Sequence, residues 1–215
     1  MFENVLGHSI LKIAREKALV QYKLFNIREY AENRRCVDDR PYGGGPGMVM
    51  KPEPIFNTVE AIERETDARC KKILLTPQGG RFSQSIAREL AKESHLMLIC
   101  GHYEGFDDRV RTGLDAMELS IGDYVLSGGE IPAMVVVDAV VRLIPGVLGD
   151  LDSTASESFS ESMLEYPQYT RPAEYKGMKV PPVLMSGNHQ KIKEWQRNRA
   201  VERTSERRPD LLNKT

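Results

Sequence analysis

Helical and strand-like hydrophobic patterns alternate through residues 1–145 of this 215-residue chain, and this alternation restricts the fold more than any other feature. Apolar residues repeat at helical spacing in 55–62 and 86–91. Short apolar runs at 72–76 and 96–100 are instead typical of buried strands. Because strands joined through helices usually lie parallel, the pattern predicts an α/β domain with a parallel sheet.

The same signals assign three further segments. Residues 10–18 carry one apolar helical face, and the alternation in 20–24 predicts a strand. Residues 131–144 are apolar almost all round, and their valines alone would favour a strand. Length decides for a helix, because Pro132 suits a first helical turn and Pro145-Gly146 a stop. We expect this helix to be buried, on the sheet or against a second subunit.

The chain divides at residues 149–162, which are small, Ser-rich, acidic and without periodicity. This composition predicts a flexible acidic linker between a domain at 1–148 and a smaller, mainly helical domain at 163–215. The last helix is expected at about 190–206 and carries a basic stripe, formed by Arg199, Arg203 and Arg207. The stripe is either a solvated face or a phosphate-contacting surface, and both interpretations stay open.

Composition excludes several classes of protein. No apolar run approaches the roughly 18 residues that a membrane span needs. The residues after Met1 lack the basic and apolar regions of a secretory signal. Three widely spaced cysteines favour neither a disulfide framework nor a zinc site. We therefore expect a protein of the reducing cytoplasm, without a membrane partner.

Four glycine-rich segments indicate a ligand site. The segments at 76–80, 101–105 and 120–132 each follow a predicted strand, where open α/β sheets bind ligands, and the fourth is 38–47. In 120–132 two glycine turns bracket four residues with strand character and leave backbone groups uncovered. The chain contains neither a P-loop nor a dinucleotide fingerprint, so these segments do not predict a phosphate cradle.

Six segments carry recognisable motifs, in order along the chain. They are Val-Asp-Asp-Arg-Pro-Tyr-Gly-Gly-Gly-Pro-Gly-Met at 37–48, Cys-Gly-His-Tyr-Glu-Gly at 100–105, the glycine segment 120–132, Ile-Pro-Gly-Val-Leu-Gly at 144–149, Tyr-Thr-Arg-Pro at 169–172 and Val-Pro-Pro-Val-Leu-Met-Ser-Gly-Asn-His at 180–189. Together they resemble the TrmD family of bacterial tRNA (guanine-N1)-methyltransferases, which modify guanosine 37 beside the anticodon.

This resemblance implies a trefoil-knotted parallel sheet flanked by helices, of the SPOUT class, and a homodimer with active sites at its interface. It also implies S-adenosylmethionine as methyl donor. Apolar walls and bare backbone suit an adenine ring and a sulfonium better than a phosphate. The donor-binding residues implied are Leu74, Leu75, Thr76, Pro77, Gly101, Tyr103, Glu104, Ile121, Gly122, Asp123, Tyr124, Val125, Leu126, Gly128, Gly129 and Pro132.

Methylation at N1 of guanine requires a base, because N1 carries a proton, and a cation near O6 would stabilise the developing charge. In the family an arginine ahead of Ile-Pro-Gly and an aspartate before Ser-Phe serve these roles. They correspond to Arg142 and Glu157, so the carboxylate here is one methylene longer. The alternative is that Glu157 is one solvated acid among many, with Asp150 or Asp152 as the base.

RNA contacts are expected from Arg40, Pro46 and Gly47 in the glycine loop, from Arg171, and from the three arginines of the basic stripe. Trp195 is either core or a stacking platform, and His189 either a capping or tRNA-contacting group or a plain surface histidine. The resemblance leaves room for Mg²⁺, although the sequence predicts no metal ligands.

Three functions remain in competition. The leading one is methyl transfer from S-adenosylmethionine to N1 of guanosine 37 in tRNA. The second is a non-catalytic tRNA-binding module. It is suggested by Glu157, which replaces the family's aspartate, and by the lack of a strand that in the family normally lies ahead of the residues matching Met1-Phe2-Glu3. A knotted methyltransferase acting on another RNA is the third.

Overall fold

The computed structural model describes residues 1–34, 36–66, 69–148, 158–159 and 162–212. The chain forms two compact units, Met1–Gly149 and Asp150–Thr215. The first unit is an α/β domain built on three parallel strands, which confirms the predicted fold class at that level.

The central sheet of the first unit has the order β4-β3-β5. Its strands are β3 (Lys71–Arg81), β4 (Leu96–Cys100) and β5 (Met117–Ser120). A separate two-stranded hairpin, β1 (Asp38–Asp39) with β2 (Val49–Met50), carries the first glycine-rich loop.

Six helices surround these strands in the described part of the first unit. They are α1 (Phe2–Leu6), α2 (Ser9–Glu16), α3 (Pro52–Thr66), α4 (Gln84–Leu90), α5 (Asp108–Gly113) and α6 (Glu130–Val141). Two of the starts follow directly from side-chain caps. The Ile86 amide donates to Ser83 Oγ (3.5 Å) ahead of α4, and the Arg109 amide donates to Asp107 Oδ1 (2.9 Å) ahead of α5.

The two faces of the sheet are buried against different helices, because successive side chains of a strand point to opposite faces. Leu74 packs with Ile55 and Val59 of α3. Ile73 and Leu75 pack instead in a cluster that contains residues of α4 and α6, with Leu119 of β5. Because helices cover both faces of the sheet, the ends of its strands are the parts that a ligand can reach.

Several sequence predictions need correction. Within the described chain, residues 20–24 pair with no strand, because the Tyr22 ring packs on the α1–α2 cluster and its hydroxyl donates to the Leu11 carbonyl at 3.2 Å. Residues 123–126 are not a strand either, since β5 ends at Ser120. Residues 76–80, expected as a loop, lie inside β3 at a register shift between Leu75 and Gly80.

Helix α6 forms where it was predicted, but it is not buried all round. Val136 and Val140 lie in the core, whereas the side chains of Ile131 and Val135 are 45% and 43% exposed. An apolar helix with one uncovered face is compatible with a second subunit, which was one of the two expected partners.

The second unit is organised around α7 (His189–Arg207), close to the predicted helix at 190–206. Asn188, rather than His189, caps it, since Asn188 Oδ1 accepts from the Lys191 amide at 3.1 Å. Thr204 is fully buried and its hydroxyl accepts from the Leu164 amide at 2.9 Å. A small hairpin, β6 (Glu174–Tyr175) with β7 (Met178–Lys179), and two 3₁₀ helices, Pro182–Met185 and Pro209–Leu211, complete the regular structure described there.

Candidate functional site

Two loops and a glycine-rich stretch of β3 start side by side along the sheet. Leu75 of β3 is in register with Cys100 of β4 and also with Leu119 of β5, so the three strands reach the same level together. Segments 101–105 and 120–132 begin at the carboxyl ends of β4 and β5, the usual ligand position in an open α/β sheet, and segment 76–80 begins beside them within β3, which continues to Arg81. The structure brings together the three segments from which the donor-binding residues were predicted.

The loop after β4 and the turn before α6 are joined directly. The Gly129 amide donates to the Gly101 carbonyl at 2.8 Å, and His102 and Gly128 form an isolated antiparallel bridge. His102 Nε2 lies 2.5 Å from Glu130 Oε1. Backbone and side-chain contacts thus clasp two of the predicted donor-binding segments together.

The turn after β5 is held by one buried serine. Ser120 Oγ donates to the Gly122 carbonyl at 3.0 Å and accepts from the Gly122 amide at 3.2 Å. A Cβ on Gly122 would meet the Tyr124 ring at 2.5 Å, so a side chain here would displace that ring. Tyr124 and Val125 are 55% and 83% exposed, which gives the turn an apolar outer surface that a ligand can cover.

The Thr76 hydroxyl is held by the arginine of an ion pair, Arg111 with Glu118, that the sequence did not indicate. Arg111 donates from Nη1 to Glu118 Oε2 and from Nη2 to Thr76 Oγ1, the latter at 3.3 Å. The Gln78 amide also donates to Thr76 Oγ1 at 3.3 Å. Leu74 and Leu75 precede Thr76 with side chains in the core, so only their backbone can contact a ligand.

The glycine-rich hairpin docks against the loop after β4. The Glu104 amide donates to the Met48 carbonyl at 3.0 Å, and the Met50 amide donates to the Gly105 carbonyl at 2.9 Å. A Cβ on Gly47 would lie 2.3 Å from Glu104 Oε1, so the Glu104 carboxylate can occupy this position only because residue 47 has no side chain. Gly47, predicted for RNA, therefore contacts Glu104, predicted for the donor. Arg40 and Pro46 are exposed on the same hairpin.

The thiol of Cys100 lies at the end of β4, next to the Gly101–Gly129 hydrogen bond. Burial, and to a smaller extent the nearby Glu130 carboxylate, raise the pKa of this thiol to about 12. The thiol is therefore protonated at neutral pH and contributes a small apolar group to the floor of the site.

Arg142 does not lie with the donor segments of its own chain. It caps the carboxyl end of α6, whereas Gly129 precedes the amino end of that helix. Twelve helical residues separate them, which corresponds to about 18 Å. Glu157 and its rivals Asp150 and Asp152 fall outside the described residues.

In the second unit the basic stripe is interleaved with acids. Arg199 pairs with Glu202, and Arg203 donates to the Glu165 carbonyl at 3.1 Å, so both guanidinium groups already have partners. Arg207 and Arg171 are exposed. Trp195 is half-buried, with the Tyr169 ring 6.3 Å away and Arg199 over its face at 5.9 Å, an arrangement intermediate between core and stacking platform.

The described residues lack both a metal-binding cluster and a membrane-spanning helix. No group of three or more His, Cys, Asp or Glu side chains there is arranged to hold a metal ion. No helix there combines the length and apolar character required to cross a bilayer.

Comparison with known proteins identifies the family. The family described as tRNA (Guanine-1)-methyltransferase TrmD matches residues 1–214. A tRNA (guanine-N(1)-)-methyltransferase of Geobacillus kaustophilus is 58% identical over 213 residues, which is 99% of this chain and 87% of the relative. Proteins of the same name from Bacillus subtilis and Dictyoglomus turgidum are each 57% identical, covering 99% and 100% of this chain and 88% and 86% of their own lengths. The chain belongs to the TrmD family of tRNA (guanine-N1)-methyltransferases.

Proposed function

We propose that this chain transfers a methyl group from S-adenosylmethionine to N1 of guanosine 37 in tRNA. Membership of a tRNA (guanine-N1)-methyltransferase family supports the reaction and the class of substrate. The observation that carries the donor site is that the three glycine-rich segments start from aligned positions of three parallel strands.

The residues at these strand ends fit S-adenosylmethionine in their chemistry. Exposed apolar side chains of Tyr103, Tyr124 and Val125 can cover an adenine ring, and the glycines leave backbone groups accessible. The aligned segments contain no lysine that would bind a phosphate, in keeping with a ligand that has none. Bound there, S-adenosylmethionine supplies an electrophilic methyl on its sulfonium.

The protein's own task in the reaction is to remove the N1 proton of guanine. In the proposed mechanism the Glu157 carboxylate accepts that proton as the bond from N1 to the methyl carbon forms and the sulfur–methyl bond breaks. Arg142 stabilises the negative charge that develops at O6. Glu157 is one methylene longer than the family's aspartate, and its placement within 149–162 must absorb that difference.

We further propose a homodimer with active sites at its interface. The separation of about one helix length between Arg142 and the donor segments supports this, because a second copy can supply the arginine that one chain holds too far away. The uncovered Ile131 and Val135 on α6 offer an apolar surface for the contact.

Several finer features are proposed from the family alone. They are the trefoil knot in the first unit, a tRNA-binding role for the helical second unit, a contribution of Mg²⁺ and a cytoplasmic location. Of the four arginines predicted to contact RNA in the second unit, Arg207 and Arg171 are exposed and are proposed for phosphate contacts, whereas Arg199 and Arg203 already have partners.

The test of the proposed function is methyl transfer to matched RNAs. The full chain is incubated with labelled S-adenosylmethionine and tRNA transcripts that carry G or A at position 37. Label in the G37 transcript alone, recovered as N1-methylguanosine, is expected. No label would favour a non-catalytic tRNA-binding module, and label independent of the base at 37 would favour a methyltransferase acting on another RNA.

Replacement of the proposed base separates its role from donor binding. We expect Glu157→Gln to abolish methyl transfer in a single-turnover assay while donor affinity is unchanged. Glu161→Gln, in the same acidic region, is the matched control and should keep full activity. Full activity of Glu157→Gln, with loss in Asp150→Asn or Asp152→Asn, would move the base to one of those aspartates.

A further inference from the structure

We propose that His102 and Glu130 act as a positioning pair that holds two of the donor-binding segments at their working separation. The pair connects the loop after β4 with the start of α6 by a contact of 2.5 Å between His102 Nε2 and Glu130 Oε1. This inference rests on the proposed donor site and adds two residues to it. Neither residue is assigned there to contact with the donor or with the reacting atoms.

The contact is long-range and reinforces a backbone bridge. Residues 102 and 130 are 28 apart in sequence, yet the Gly129 amide bonds to the Gly101 carbonyl and His102 bridges Gly128 beside them. The backbone bridge and the side-chain contact therefore span the same gap, between residues 101–102 and 128–130. The side-chain contact is the outermost of them, so it resists opening of the gap at its solvent edge.

Gly128 shows how closely the pair covers this clasp. A Cβ on Gly128 would lie 2.5 Å from Glu130 Oε2 and 2.7 Å from His102 Cε1. The carboxylate and the imidazole therefore pack directly over the Gly128 backbone. A side chain at this position and the closed pair could not coexist without movement of one of them.

Each partner is also fixed from its own side. The His102 amide points to Met50 Sδ at 3.1 Å, which ties the loop to the glycine-rich hairpin. Glu130 is the first residue of α6, where the helix dipole favours a negative charge, and its side chain is only 25% exposed. The contact therefore joins two fixed backbone positions, with the His102 side chain 47% exposed.

The chemistry of the contact directs the choice of variants. A carboxylate only accepts hydrogen bonds, so His102 Nε2 must carry the proton and donate it. Glutamine can present an amide N–H in a similar position, whereas alanine cannot. His102→Gln is therefore the conservative variant that should restore most of what His102→Ala loses.

The test measures donor binding by the full-length protein with calorimetry. We expect His102→Ala and Glu130→Ala each to raise the Kd for S-adenosylmethionine about tenfold, and the double variant to be little worse than either single one. His102→Gln should bind within about threefold of the unchanged chain. With saturating donor kcat should change little, because the pair affects the donor KM rather than the reacting atoms.

Lys12→Ala combined with Glu16→Ala provides the matched control. That pair is an exposed i,i+4 contact of 3.6 Å on α2, and its removal should leave donor affinity unchanged. Thermal unfolding checks that every variant is folded. If the alanine variants unfold, His102→Gln and Glu130→Gln serve for the same test. Glu130→Gln should weaken donor binding, because a neutral amide oxygen is a weaker hydrogen-bond acceptor than a carboxylate oxygen.

Unchanged Kd in the folded variants, or independent additive effects in the double variant, would overturn the positioning pair. The two proposals fail differently. If the unchanged chain does not bind S-adenosylmethionine, the proposed function is overturned and the pair with it. If the unchanged chain binds and the variants bind equally well, only the pair is overturned.

Discussion

Gly129→Ala tests whether the donor site depends on the close approach of the two clasped segments. Gly129 has φ −79° and ψ −6°, a conformation that alanine adopts without strain, so the substitution acts through space alone. The added Cβ would lie 2.7 Å from Cys100 Cα and 2.9 Å from the Gly101 nitrogen. Both neighbours are backbone atoms, which cannot rotate away.

The expected size of the effect follows from these distances. Ordinary van der Waals contact begins near 3.4 Å, so the two segments must separate by about 0.7 Å. A shift of that size along the bond from the Gly129 amide to the Gly101 carbonyl, now 2.8 Å, lengthens it to about 3.5 Å, beyond an effective hydrogen bond. We expect a loss of about 1–3 kcal/mol in unfolding free energy and a ten- to hundredfold weaker binding of S-adenosylmethionine.

Calorimetric titration of the donor and thermal unfolding measure the two effects. Gly177→Ala is the matched control, because Gly177 lies in the hairpin of the second unit at φ +79° with no atom within 4 Å of the added Cβ. It imposes backbone strain without crowding and should leave donor binding intact. Equal donor affinity in Gly129→Ala and the unchanged chain, or equal weakening in the control, would refute the reasoning.

Three further outcomes are expected. Alkylation at pH 8 should modify exposed Cys36 and spare Cys100, whose pKa of about 12 leaves roughly one thiol in ten thousand ionised. Mass spectrometry of the native protein counts the labels, and rapid labelling of Cys100 would contradict its burial. Arg111→Met removes the partner of Glu118 and a donor to Thr76, so unfolding free energy should fall by about 1–3 kcal/mol and donor affinity with it, whereas Arg64→Met, in an exposed pair with Glu60, should change neither. Thr204→Val keeps the buried volume but leaves the Leu164 amide without its acceptor; chemical denaturation should report a loss of about 1–3 kcal/mol, and a loss no larger than that of Ser205→Ala would show that this bond contributes nothing.

Sequence reasoning succeeded where local physics and tertiary packing agree. The helix α3 follows from Ile55, Val59 and Ile62 on one face, and strand β4 from an unbroken apolar run between a helix and a glycine. The parallel sheet followed from the alternation of such elements. These signals are local in the chain, so they can be read without knowledge of its partners.

Its failures have a common cause, which is that strand pairing depends on distant partners. Residues 20–24 alternate like a strand but find their contacts on α2, and residues 76–80 contain two glycines and a proline yet continue β3 past a register shift beside β5. The same applies to the site. Two pairs in the site are long-range or irregularly spaced: His102 with Glu130, and Arg111 with Glu118. No local sequence pattern predicts either of them.

The donor pocket is assembled from parts that a growing chain makes at different times. Leu75 must find Cys100, 25 residues later, and then Leu119, 44 residues later, before the three segments face one another. Closing loops of that length costs entropy that no local contact offsets, so completion of the pocket should be a late event in folding. A nascent chain that ends before Gly129 lacks its contact with Gly101 altogether. In the proposed site, S-adenosylmethionine would bind only to chains that have finished this assembly, and at a hundred times its Kd it would favour them by about 2.7 kcal/mol over chains that have not.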